Sequence, residues 1–181
     1  MKTKPRYAMT MDTARCVACQ ACVLSCKAEN AVPAKGFRDW IVQETRGVFP
    51  DLTQENRSER CNHCDNSPCV SACPTGASHV SKGGAVIVNY RKCSGCKACI
   101  AACPYDARYV HEQGWIDKCT FCLHRVEKGL NPGCVDVCPT KALTFGDRND
   151  PGGELSKQLR SRKWKVLQAE RGLNPNMYFL I

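Results

Sequence analysis

The tract "CVACQACVLSC" at residues 16–26 places four cysteines at the spacing C-x2-C-x2-C-x3-C, and close variants of it recur three more times. Sixteen of the 181 residues are cysteine. They divide without remainder into four sets: Cys16, Cys19, Cys22, Cys26; Cys61, Cys64, Cys69, Cys73; Cys93, Cys96, Cys99, Cys103; and Cys119, Cys122, Cys134, Cys138. Such a density belongs to a disulfide scaffold, a metal-rich protein or a cluster carrier. Spacing decides among them. A disulfide needs its two Cα atoms about 4.4–6.8 Å apart with suitable side-chain vectors, and repeated C-x2-C loops more commonly hold metal. A zinc ribbon uses two C-x2-C pairs separated by a spacer, with no role for a third cysteine at x2 or a fourth ahead of proline.

The run C-x2-C-x2-C-x3-C-P is instead the local solution for a [4Fe-4S] cluster, which takes four thiolates. Three ligands come from the loop, and the fourth cysteine ligates the other cluster of two-cluster ferredoxins. Cys16, Cys19 and Cys22 are therefore expected to hold one cluster while Cys26 helps to hold a second. Four complete sets predict four [4Fe-4S] clusters, with no ligand missing that would suggest a three-iron centre. Set two carries one C-x4-C, and set four opens to eleven residues between Cys122 and Cys134.

In sets two, three and four the last cysteine precedes proline (Pro74, Pro104, Pro139), which closes a short helix and sends the chain into a strand. Set one has Lys27 there. Alternating segments around the sets read as strands: "YAMTM" before Cys16, "AVIVNY" before Cys93, "ARYV" after Cys103 and "ALTF" after Cys138, with "SKGG" at 81–84 as a hairpin turn. The predicted fold class is α+β with short strands, short helices and long loops. Residues 31–60 carry no cysteine and read as an insertion, with Trp40 assigned to packing. Residues 147–181 read as a C-terminal docking tail; its apolar end 177–181 suits either a partner surface or an ordinary closing strand.

The formal charge of +9 would ordinarily suggest nucleic acid or an anionic membrane. Four clusters with all sixteen thiols ionised would add about −8, bringing the loaded protein near neutral, so no nucleic-acid partner is expected. Basic residues beside the cysteines (Arg15, Lys27, Arg60, Arg91, Lys92, Lys97, Lys118, Arg125) then read as internal counter-charge or as a solvated face. The N-terminal residues show no apolar run of about 7–15 residues and no twin arginine, so no secretory signal is expected. No apolar run approaches the roughly 18 residues a membrane span requires. His63 and His124 sit close enough to cysteines to hydrogen-bond sulfur, while His79 and His111 read as structural or surface residues. No catalytic set stands out, and Gly83-Gly84 reads as a turn, not a nucleotide loop.

With these residues in view, the chain resembles the four-cluster iron-sulfur subunits of complex iron-sulfur molybdoenzymes, of the polysulfide and thiosulfate reductase type within the DMSO reductase superfamily. The resemblance spans nearly the whole chain and is strongest in "CNHCDNSPCVSACPTGAS", "CSGCKACIAACPYDARYV" and "CTFCLHRVEKGLNPGCVDVCPTKALTFGD". It implies that set one pairs with set four and set two with set three. The cluster ligands it implies are Cys16, Cys19, Cys22 with Cys138; Cys119, Cys122, Cys134 with Cys26; Cys61, Cys64, Cys69 with Cys103; and Cys93, Cys96, Cys99 with Cys73. The expected architecture is two pseudo-symmetric, bacterial-ferredoxin-like two-cluster modules, 1–30 plus 111–146 and 61–110.

The resemblance further implies electron transfer, without a catalytic site of its own, between a large molybdopterin-containing catalytic subunit and a quinone-binding integral membrane subunit. A peripheral place on the cytoplasmic membrane follows, on the outer face by co-export with a signal-bearing partner or else in the cytoplasm. A free-standing polyferredoxin-like carrier, or an accessory subunit of a hydrogenase or formate dehydrogenase, is the alternative reading.

Overall fold

The computed structural model describes residues 4–181. Its largest sheet has four strands in the order β8-β1-β10-β9, formed by β1 (Tyr7–Asp12), β8 (Leu143–Asp147), β9 (Trp164–Lys165) and β10 (Met177–Leu180). β1 runs antiparallel to β8, with Met11 opposite Leu143, and parallel to β10, with Met9 opposite Met177 and Asp12 opposite Leu180. Side chains alternate across a strand, and the two faces of β1 meet different partners. Met9 and Met11 turn toward the cysteine loops together with Met177 and Phe179 of β10. Ala8 packs with Leu155 and Tyr178 on the other face, where α6 (Glu154–Ser161) covers the sheet and Gln158 accepts from the Thr10 hydroxyl at 2.6 Å.

The expected strands at "YAMTM" and "ALTF" are present as β1 and β8. "AVIVNY" shortens to β5 (Val86–Val88), since residues 90–92 turn into a 3-10 helix. It pairs with β4 (Ser78–Val80) across the turn expected at 81–84. "ARYV" contributes only Tyr109–Val110 (β6), paired with Ile116–Asp117 (β7). The apolar end of the chain forms the closing strand: Met177, Phe179 and Leu180 are essentially inaccessible and part of the core, while Ile181 beyond them is exposed.

The insertion is not an irregular segment. β2 (Asp39–Val48) and β3 (Asp51–Arg60) form an antiparallel ribbon from Asp39 opposite Arg60 out to Val48 opposite Asp51. The base is buried and the tip is bare, with Phe49 84% exposed. Trp40, at the base, packs against the main core as expected. Proline explains the helix lengths. α2 (Pro68–Ser71), α3 (Ala98–Ala101) and α5 (Gly133–Asp136) stop after four residues, ahead of the Cys-Pro pairs, and α4 (Leu123–Val126) is a single turn after Cys122. α1 (Ala21–Glu29), which has Lys27 where the others have proline, runs for nine residues and carries Cys26 within it. Among the described residues no helix is long and apolar enough to cross a membrane.

Candidate iron-sulfur sites

Three cavities of similar size each lie within a ring of four cysteines. Site A, with about 330 Å³ of space free of protein atoms, is lined by Cys16, Cys19, Cys22 and Cys138. Site B, with about 320 Å³, is lined by Cys26, Cys119, Cys122 and Cys134. Site C, with about 300 Å³, is lined by Cys61, Cys64, Cys69 and Cys103. In each case the fourth cysteine comes from a different set than the first three. Around Cys93, Cys96 and Cys99 (site D), the Cys99 thiol is raised first by burial and then by Cys69 and by Cys73, the crossover cysteine expected there. No group of three His, Cys, Asp or Glu side chains among the described residues converges on a single metal ion, and the cysteines instead stand around wider cavities.

The four loops share one backbone device. The residue immediately before the second cysteine is left-handed in every set: Ala18 (φ 54°), His63 (φ 44°), Gly95 (φ 69°) and Phe121 (φ 55°). This bend turns an amide back onto the first cysteine. His63 N–H donates to Cys61 Sγ at 3.5 Å and Phe121 N–H to Cys119 Sγ at 3.4 Å, while burial raises the Cys16 thiol and the Ala18 amide offsets part of that rise. A left-handed non-glycine residue costs roughly 1–3 kcal/mol, a strain characteristic of binding sites. After the last cysteine a second turn repeats, left-handed at Gly76, Asp106 and Lys141. In it Ser78 N–H donates to Cys73 Sγ at 3.4 Å and Ala142 N–H to Cys138 Sγ at 3.3 Å. Burial opposes ionisation of these two thiols, yet the amides bring both below the ordinary value.

Deeper thiols go the other way. Burial pushes Cys22 and Cys119 up to about 11 and Cys64 and Cys134 up to about 12, and raises Cys26 further still. A metal must displace those protons, so iron binding and folding are coupled here.

Buried basic side chains complete the environment. Arg60 donates to Cys134 Sγ at 2.9 Å and pairs with Asp39 at 3.1 Å. Ser58 donates to the same Asp39 at 2.6 Å and lies 3.7 Å from Cys22 Sγ. Arg108 donates to Cys69 Sγ at 2.8 Å and to Ser78 at 2.9 Å, while its Nε and Nη1 are buried without a partner. Lys118 donates to the carbonyls of Val86 and Cys119. An unpaired buried cation is strongly unfavourable. A thiolate-held iron-sulfur cluster, anionic and rich in acceptor sulfur, fits these donors and these cysteine rings.

Of the basic residues singled out from sequence, Arg60 and Lys118 reach the sites. Lys27 caps the carbonyls of Pro33, Ala34 and Gly36, Arg125 pairs with Glu29 and Asp136, and Arg15, Arg91, Lys92 and Lys97 are exposed. Neither nearby histidine bonds a sulfur through its ring. His63 is buried against Phe121, accepts from Val86 N–H at 3.0 Å and is held neutral by burial, whereas His124 meets Glu29 at 2.8 Å. Sequence reasoning passed over Asn30, which reaches Cys26 and Cys122 Sγ at 3.8 and 3.7 Å. It also passed over the buried pair of Arg38 with Asp117 at 2.8 Å, and over Asp39, Ser58 and Arg108. For most of these the only signal was their place in or beside the cysteine-free ribbon.

A profile described as a 4Fe-4S dicluster domain matches residues 53–148, and one described as a 4Fe-4S binding domain matches residues 13–29. The sequence is 42% identical over 180 residues to the B subunit of tetrathionate reductase from Salmonella typhimurium, covering 97% of this protein and 72% of the relative. It is 41% identical over 179 residues to the B component of polysulfide reductase from Wolinella succinogenes, covering 97% and 94%. The arsenate respiratory reductase iron-sulfur subunit of a Shewanella species is 33% identical over 225 residues, covering 97% and 96%. The protein belongs to the family of 4Fe-4S iron-sulfur subunits of the complex iron-sulfur molybdoenzymes.

Proposed function

We propose that this chain is the electron-transfer subunit of a respiratory oxidoreductase complex, holding four [4Fe-4S] clusters at sites A to D in the crossed arrangement, with Cys26 at B, Cys73 at D, Cys103 at C and Cys138 at A. Bound clusters supply one-electron centres; the protein supplies ligands, spacing and electrostatics. The observation that carries the reading is the order of the sites. Arg60 touches Cys134 of site B and also acts on Cys22 of site A. Cys61 of site C adds to the burial that raises Cys119 of site B. Cys69 of site C acts in turn on Cys99 of site D. The series A-B-C-D has every cysteine of site B buried, and one exposed cysteine at each end, Cys19 at A and Cys96 at D.

The two ends differ, which suits two unlike partners. Around Cys19 the exposed side chains include Val17 and Leu24, whereas around Cys96 they include Arg91, Lys92 and Lys97. By analogy with the related reductase subunits, one end serves a molybdopterin catalytic subunit and the other a quinone-reactive membrane subunit, to which this chain attaches through protein surfaces. In this proposal 1–30 with 111–146 builds the A/B module and 61–110 the C/D module. Purified without oxygen, the chain should carry about 16 iron and 16 acid-labile sulfide atoms. Stoichiometric zinc with little iron would overturn the reading.

A further inference from the structure

The three gaps of the series A-B-C-D each contain one buried basic side chain. Arg60 stands between A and B: it bonds Cys134 Sγ of site B at 2.9 Å and also donates to Ser58, whose hydroxyl lies 3.7 Å from Cys22 Sγ of site A. Lys118 stands between B and C, since one of its acceptors is the carbonyl of the site B residue Cys119 and the other that of Val86, which lines site C. Arg108 stands between C and D: it bonds Cys69 Sγ of site C at 2.8 Å and the hydroxyl of Ser78 at 2.9 Å, and the Ser78 amide donates to Cys73 Sγ of site D at 3.4 Å. All three are at most 5% exposed.

Their counter-charges are unequal. Asp39, itself 2% exposed, pairs with Arg60 at 3.1 Å. Among the described residues no carboxylate pairs with Arg108 or with Lys118, and two of the Arg108 guanidinium nitrogens have no partner at all. The A/B gap is thus close to neutral, while the B/C and C/D gaps each carry a positive charge without a protein counter-ion.

We propose that Arg60, Lys118 and Arg108 act as positioning charges in the gaps of the relay, and that the Asp39 imbalance makes the C/D end easier to reduce than the A/B end. The inference rests on the reading of these cavities as cluster sites. Each one-electron reduction, with the electron delivered by a partner or a chemical titrant, adds one negative charge to a site. A buried cation favours that added charge, and burial leaves the interaction less screened than at the surface. Donors to the ligating sulfurs act in the same direction, because net charge and hydrogen bonds to sulfur are the levers on cluster potential. Asp39 opposes this at A and B, whereas among the described residues no carboxylate pairs with Lys118 or Arg108.

The test is an EPR-monitored redox titration of the anaerobically purified chain and three variants, after iron and sulfide have been counted. Arg108→Gln should lower the potentials of two clusters by at least tenfold in the oxidised-to-reduced ratio, about 59 mV for a one-electron couple. Arg108→Lys should restore most of that shift. Asp39→Asn, which leaves Arg60 without its carboxylate, should raise the potentials of the other two clusters. These opposite signs separate an electrostatic role from a structural defect, which has no reason to raise a potential. Fully loaded Arg108→Gln or Asp39→Asn with wild-type potentials, or both shifting the same way, overturns the inference. If Arg108→Gln fails to load, Asp39→Asn decides alone. A wild-type chain short of four clusters overturns the cluster assignment itself, a failure read from the iron count before any titration.

Discussion

Sites A and B, compared with C and D, present the same three-cysteine loop on different scaffolding. The A/B cysteines come from the two ends of the cysteine-bearing region, so that Cys16 and Cys138 line one cavity and Cys26 and Cys119 another. They rest on the four-stranded sheet, with Met11 and Leu143 lining A and Met9 lining B. Sites C and D come from the continuous stretch 61–110 and are flanked by the short hairpins β4-β5 and β6-β7. Cys26 rides within the nine-residue helix α1, whereas Cys73 and Cys103 lie just beyond four-residue helices. The three-cysteine loop with its left-handed bend defines a site, and quite different structures can hold the crossover cysteine in place. The A/B half depends on long-range sheet closure, and the C/D half depends mostly on local turns.

The largest effect should come from the crossover cysteines. Cys26→Ser is expected to cost the inner site B its cluster, taking iron from about 16 to about 12 per chain and interrupting the relay. Adding Cys122→Ser should remove no more iron, whereas adding Cys19→Ser should remove about four more atoms. Cys73→Ser should instead cost an end site and leave A, B and C reducible. If Cys26→Ser and Cys19→Ser proved non-additive, the crossed arrangement would be wrong and the two halves would not be paired as described.

Next comes the sheet. Phe179 is fully buried beside Met11 in the parallel register of β1 and β10, and Phe179→Ala should cost about 3–5 kcal/mol through the cavity it leaves. Because β1 lines A and B, cluster bleaching on anaerobic heating should begin there, with C and D persisting to higher temperature. Loss of all four signals together would make the molecule one cooperative unit and dissolve the contrast between the halves.

The sequence showed the sixteen cysteines, their four sets and the strands β1 and β8, because metal spacing and period-two alternation are local signals. It left open whether residues 177–181 form a partner surface or a closing strand, because an apolar pentapeptide does not say what covers it; pairing with β1 decides that. The ribbon was legible only as a gap between cysteines. Its residues matter through contacts made at long range, Asp39 with Arg60 and Arg38 with Asp117, and no periodicity announces a buried ion pair. Arg108 was hidden for the same reason. The left-handed bend was visible in set three alone, where Gly95 occupies it; alanine, histidine and phenylalanine at the equivalent positions mask a backbone conformation that glycine would advertise.

That bend gives the smallest and most local contrast between the halves. Sets one and three have identical spacing, and Ala18 and Gly95 hold equivalent left-handed positions. Space distinguishes them, because a Cβ at Gly95 would stand 2.5 Å from the carbonyl oxygen of Gly114, a backbone atom that cannot rotate away. Gly95→Ala therefore combines left-handed strain with a clash and should destabilise site D by about 1–3 kcal/mol. Ala18→Gly relieves strain of about 1–2 kcal/mol at site A but favours the unfolded state by about 0.4–1 kcal/mol, leaving a gain between zero and about 1.6 kcal/mol. Iron release to a chelator, followed by the bleaching of each cluster, measures both: faster loss from site D in the first variant, and equal or slower loss from site A in the second. Should Gly95→Ala hold its iron as well as the wild type, the Gly114 carbonyl is free to move, and the two loops are interchangeable despite the different structures that support them.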